Sequence, residues 1–86
     1  HGLGKILLGE HTKEMLECDL KIEKKGLADL KAAIAHFETV SDYGSRELLE
    51  DILEAEEEHI DWLETQLGLI DKIGIENYLQ SQMGDE

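Results

Sequence analysis

Two apolar stripes, each stepping along the chain by three and four residues, constrain this sequence more than any other feature in it. The first runs Leu16, Leu20, Glu23, Leu27, Leu30, Ile34, Phe37, and the second runs Leu49, Ile52, Glu56, His59, Leu63, Gln66, Ile70. That spacing keeps one face of a helix apolar. Between the stripes, Val40 to Ser45 (VSDYGS) has the strongest turn composition in the middle of the chain. With no proline and little aromatic content, the chain is read as all-α, a long antiparallel helical hairpin followed by a short C-terminal helix.

The chemistry lies in the polar residues that interrupt the stripes. Glu56 and His59 form a Glu-x-x-His pair, and positions three apart on a helix are neighbours. Leu53, Ile60 and Leu67 flank the pair, so a carboxylate and an imidazole share one patch of an inward face. A carboxylate in such surroundings is costly without a partner, and a divalent metal is the obvious one. Glu23 occupies the corresponding stripe on the preceding helix. If the chain folds back about Asp42, Glu23 lies about 19 residues before the turn and Glu56 and His59 about 14 and 17 after it, which at about 1.5 Å per residue agrees to within roughly a turn. Glu23, Glu56 and His59 are therefore the candidate metal-ligating and catalytic residues. They make half of a carboxylate-bridged dinuclear site, which in helix bundles takes a Glu from two helices and a Glu-x-x-His from the other two.

The 86 residues leave room for one small unit. Two helices in a hairpin bury only one stripe each, and both stripes here are wider than that. The chain is expected to need partners to close a core, hence to be part of an oligomer. It starts at His1 without an initiator methionine, as expected of a processed or truncated piece. The formal net charge of −13 argues against nucleic acid and anionic membranes as partners and suits cations. No run approaches the roughly 18 apolar residues that span a bilayer, and no secretory signal pattern is visible. The single cysteine, Cys18, excludes an intrachain disulfide and points to a reducing, cytoplasmic setting.

Along the chain, residues 1–11 are punctuated by Gly2, Gly4 and Gly9 and read as a docking strand or extended crossover. Thr12 is the expected N-cap of a helix over 12–40, with Glu14 in its first turn. A turn over 41–45 leads to a second helix over 46–73, with Ser41, Asp42 or Ser45 as its cap, Lys72 in its last turn and Gly74 just beyond. A short third helix covers 75–83, and Gly84 to Glu86 form a frayed end.

These residues resemble a known family. The run Leu48 to Leu67 (LLEDILEAEEEHIDWLETQL) is similar to the fourth helix of bacterioferritins, Gly9 to Leu20 (GEHTKEMLECDL) to the third, and Glu76 to Met83 (ENYLQSQM) to the short fifth. The resemblance covers essentially every residue. It implies the C-terminal half of a ferritin-like four-helix-bundle subunit, with residues 1–11 as a remnant of the crossover loop. It also implies iron storage and detoxification, with a di-iron ferroxidase centre oxidising Fe(II) to Fe(III) for a mineral store inside a hollow shell. By this resemblance Glu23 and Glu56 match bridging carboxylates and His59 a terminal ligand. Asp61 matches an acidic residue lining a pore that admits iron, and Asn77 and Gln80 match polar residues around a four-fold channel. Gly68 stands where some relatives carry a further pore aspartate. The family's haem b is held by a methionine on the second helix, which this chain lacks, and neither Met15 nor Met83 matches it.

Bland readings stand beside these. A bare Glu-x-x-His is ordinarily a surface pair; its place in the stripe, level with Glu23, sets this one apart. Glu54, Glu57 and Glu58 read as a solvated face. His1, His11 and His36 have no partner at ligand spacing and read as surface residues. Cys18 is expected to be a buried or half-buried thiol without activation, and Trp62 an interface or core anchor. Two partners would complete the ligand set: a chain supplying the missing helices, favoured by the match to the family's C-terminal half, or a second copy of this chain. Different classes of function stay open, a structural or shell-assembly fragment without a completed site and a haem-carrying electron-transfer component.

Overall fold

The computed structural model describes residues 2–83, which form three helices: α1 over Gly2–Thr39, α2 over Tyr43–Ile73 and α3 over Ile75–Met83. The turn between α1 and α2 follows from local chemistry. Ser41 takes the left-handed conformation (φ 58°), which lets its N–H reach the Glu38 carbonyl at 3.1 Å and the Asp42 N–H reach the Phe37 carbonyl at 2.9 Å. Those crossed bonds satisfy the Phe37 and Glu38 carbonyls in the last turn of α1. Asp42 then caps α2, accepting from the Ser45 N–H at 3.1 Å and from the Ser45 hydroxyl at 2.8 Å. Arg46 spans the turn, with Nη1 3.5 Å from Glu38 and Nε 3.3 Å from Glu50, and lies over the Tyr43 ring. At the other end a single residue, Gly74, separates α2 from α3. Its φ of 83° is strained for any side chain, and its N–H caps the Ile70 carbonyl at 2.9 Å.

The structure corrects two expectations for the ends of the long helices. Residues 2–11 are neither strand nor crossover loop; they are the first turns of α1, so Thr12 lies inside a helix and does not cap one. The glycine spacing was misleading because Gly9 serves packing: it is buried, and a Cβ there would come within 3.0 Å of the Ile75 side chain. The second correction is the turn, which occupies 40–42 because α2 starts at Tyr43, three residues ahead of the expected 46, with Asp42, one of the expected caps, as its N-cap. Residues 1 and 84–86, including the expected frayed end and His1, lie outside the described residues.

The fold is a rod. Its extents are 59 × 23 × 19 Å and its radius of gyration is 17.8 Å, against about 12 Å for a compact chain of this length. The fully packed core is small and lies toward the α3 end, built from Ile60, Leu63, Ile70 and Tyr78. Gln66, the polar member of the α2 stripe, is buried there because the Tyr78 hydroxyl donates to its Oε1 at 2.8 Å. The α1 stripe (Leu16, Leu20, Leu27, Leu30, Ile34, Phe37) is only half-buried.

The two broad faces of the hairpin differ. Lys24 pairs with Glu64 at 3.3 Å, and Lys13 approaches Asp71 at 3.9 Å, so both ion pairs bridge the helices on one face. On a helix, chain neighbours are about 100° apart. Ile22 and Lys24 therefore flank Glu23 on opposite sides, as Trp62 and Glu64 flank buried Leu63. If Lys24 and Glu64 define one face, Ile22 and Trp62 lie on the other, and they are 60% and 51% exposed. Among the described residues, no helix is long and apolar enough to cross a membrane.

Candidate metal centre

Counting from the turn puts Glu23 level with Glu56 and His59, and the structure brings these three together. One ligand atom from each lies within 4.8 Å of the others, with Glu23 contributed by α1 and the pair by α2. The His59 Nδ1 stands 3.4 Å from Glu23 Oε2. The contact does not meet the geometry of a hydrogen bond, so Oε2, although buried, has no donor. A buried carboxylate oxygen left this way is costly, and among the described residues it is the one buried side-chain oxygen without a partner. The Glu23 side chain is 19% exposed and that of His59 43%, so the cluster sits at the edge of the hairpin's interior.

Two adjacent carboxyls cannot ionise independently. The Glu56 carboxyl is pushed above its ordinary value, first by a hydrogen bond shared with Glu23, then by burial and by the Glu23 charge, with His59 acting in the opposite sense. Glu23 is held below its ordinary value, first by that same bond and then by His59, against the effect of burial. The two carboxyls therefore titrate as a coupled pair, Glu56 releasing its proton at higher pH than Glu23. A cation between them would favour the ionised form of both carboxyls. The donor set, two carboxylates and one imidazole without thiolate, suits iron or manganese better than a structural zinc.

The other candidate residues stand apart. Asp61 is exposed on α2, two residues beyond His59 and so on a different side of the helix. Asn77 and Gln80 are exposed on α3, and the Asn77 amide donates to the Ile73 carbonyl at 2.7 Å across the α2–α3 joint. His11 and His36 are exposed and outside the cluster. Cys18 is exposed, not buried; five positions before Glu23, it falls on the far side of α1. Trp62 belongs near the site, its ring centroid 6.4 Å from that of His59. The three-residue spacing from His59 was the signal for it in the sequence.

A helical hairpin that gathers carboxylates and an imidazole from facing stripes is the signature of a bundle-type metal protein. The comparisons with known proteins make the class specific: the ferritin-like domain family matches residues 3–73, and the chain belongs to that family. It is 54% identical over 79 residues to a bacterial ferritin of Synechocystis, covering 91% of this chain and 51% of the relative. A bacterial ferritin of Pseudomonas aeruginosa is 49% identical over 76 residues (87% and 49%), and a bacterioferritin of Brucella melitensis 45% identical over 75 (87% and 47%). The chain thus spans about half the length of the relatives it matches.

Proposed function

We propose that this chain handles iron, and that Glu23, Glu56 and His59 form its half of a di-iron ferroxidase centre in a storage particle. The observation that carries the reading is the convergence of these three side chains from two helices around a buried carboxylate oxygen with no donor. Membership of the ferritin-like family and kinship to bacterial ferritins support the same reading. Ferrous iron is the substrate, each ion giving up one electron, with dioxygen as the acceptor.

The chain's own residues supply the binding. Glu23 and Glu56 bring two carboxylates, and His59 brings an imidazole whose ring centroid lies 6.4 Å from that of Trp62. The acidic surface, part of a net charge of −13, attracts cations toward the cluster. Asp61, Asn77 and Gln80 are proposed as pore residues of the assembled particle, in a cytoplasmic setting. Three donors are half of what two metal ions need, so activity requires a partner that brings the rest.

The test is anaerobic ferrous titration of the chain assembled with the partner that completes the site, followed by admission of oxygen and read as the absorbance of ferric product. Saturable uptake with rapid oxidation is expected, abolished in Glu23→Ala and His59→Ala variants that keep their helicity by circular dichroism. Equal oxidation rates in wild type and both variants would refute the assignment.

A further inference from the structure

We propose that Lys24 and Glu64 are positioning residues for the metal centre: their ion pair fixes the height and rotation of α1 against α2 at the level where Glu23 must meet Glu56 and His59. The inference rests on the metal-binding reading above and adds how this chain's ligands are held in register.

Glu23 comes from one helix and the Glu56–His59 pair from the other, so the distances among them depend on how α1 sits against α2. A slip of one residue moves a ligand by about 1.5 Å along the axis and turns it by about 100°. A binding constellation works within roughly 0.5 Å of its geometry, so even a fraction of that slip matters. The apolar packing leaves slack on the α1 side. Around Glu23 only α2 contributes fully packed side chains, Ile60 and Leu63, while Leu20 and Leu27, which flank Glu23 in the α1 stripe, are half-buried.

Among the described residues, two lysine–carboxylate pairs join α1 to α2. Lys24 is the chain neighbour of Glu23, and Glu64 lies five residues, about 7.5 Å of helix, beyond His59. Their contact, Nζ to Oε2, is 3.3 Å. The other pair, Lys13–Asp71, is looser at 3.9 Å, and its lysine stands ten residues, about 15 Å, from Glu23. Because a helix turns as a unit, a restraint on Lys24 is passed to Glu23 through one peptide unit, whereas a restraint on Lys13 acts through almost three turns. The Lys24–Glu64 pair also lies on the face away from exposed Ile22 and Trp62, so it steadies the ligands without standing in front of them.

The size of the effect follows from exposure. The two side chains are 55% and 52% exposed, and ion pairs so placed shift an equilibrium by about two- to fivefold. The pair is also neutral as a whole, which separates positioning from simple attraction of cations. Removing both partners, Lys24→Met with Glu64→Gln, leaves the net charge of −13 unchanged and removes the restraint. Exchanging them, Lys24→Glu with Glu64→Lys, leaves the charge unchanged and rebuilds the restraint.

Competition for ferrous ion between a coloured chelator and the chain assembled with the partner that completes its site, under nitrogen, tests the proposal. The double removal should weaken ferrous binding about two- to fivefold while helicity by circular dichroism stays at the wild-type level. The exchanged pair should bind as wild type does, and the gap between wild type and the double removal should narrow as salt screens the pair. Lys13→Met with Asp71→Asn, equally neutral but remote, should change nothing. Wild-type affinity in the double removal, no recovery in the exchanged pair, or an equal loss from the Lys13 and Asp71 changes would each overturn the proposal while leaving the metal reading standing. Ferrous binding that survives His59→Ala undiminished would overturn that reading and the proposal with it.

Discussion

The bond between Tyr78 and Gln66 holds α3 against the hairpin, and removing one oxygen atom tests that role. Tyr78 is 4% exposed, Gln66 is 9% exposed, and they meet at 2.8 Å. Tyr78→Phe keeps the ring and its packing but leaves Gln66 Oε1 without a donor. An unpaired buried acceptor costs about 1–3 kcal/mol. For a domain of this size each kcal/mol lowers Tm by roughly 4–8 °C, so the variant should melt about 4–24 °C below wild type. Gln66→Leu strands the tyrosine hydroxyl in the same surroundings and should cost about as much. The double variant replaces both partners by apolar groups, a change that is nearly neutral when shape is kept. Its loss should therefore be smaller than the sum of the two single losses by about 1–2 kcal/mol. Urea and thermal unfolding, followed by helical circular dichroism at one fixed protein concentration, measure all four corners of this cycle. A Tyr78→Phe variant within about 0.5 kcal/mol of wild type, or single losses that simply add, would refute the reasoning.

The turn offers two further tests. The Asp42 carboxyl is held below its ordinary value of 3.8, first by the Ser45 hydroxyl and then by the Ser45 N–H, against burial. The unfolded chain therefore takes up this proton at higher pH than the folded one. The cap's contribution is complete above the range of a free aspartate and disappears as pH falls through the lower, folded value. Asp42→Asn keeps a capping oxygen and does not titrate, so its urea midpoint should fall less steeply than that of wild type on acidification; parallel curves would contradict this. At Ser41, where φ is 58°, a side chain in the left-handed region is strained by about 1 kcal/mol, and Ser41→Gly should recover it as a higher unfolding midpoint. An unchanged or lowered midpoint would show that the turn is not strained.

Much of the site was readable without coordinates because helices convert sequence spacing into direction and height. The three-four stripes fixed which faces meet, and distance from Asp42 fixed that Glu23 lies opposite Glu56 and His59. The start of α1 was not readable. Gly2, Gly4 and Gly9 look like breaks, since each costs a helix about 1 kcal/mol against alanine, and the contact that explains Gly9 is made by Ile75, 66 positions away. Gln66 likewise looked like an interruption of the apolar stripe until Tyr78 reached it from α3. Cys18 went the other way: its residue type favours burial, but its position on the helix does not. The difference between the two faces also needed the structure, because Lys24 has many acidic residues within reach in sequence terms and only the packing of α1 on α2 selects Glu64.

The central claim is that Glu23, Glu56 and His59 bind a metal ion together. Anomalous diffraction at the iron edge, from crystals equilibrated with ferrous iron under nitrogen, tests it most directly. The account predicts a peak within bonding distance of side-chain atoms from all three residues. Peaks confined to the acidic surface around Glu57, Glu58 and Asp61, with nothing between the three, would contradict it.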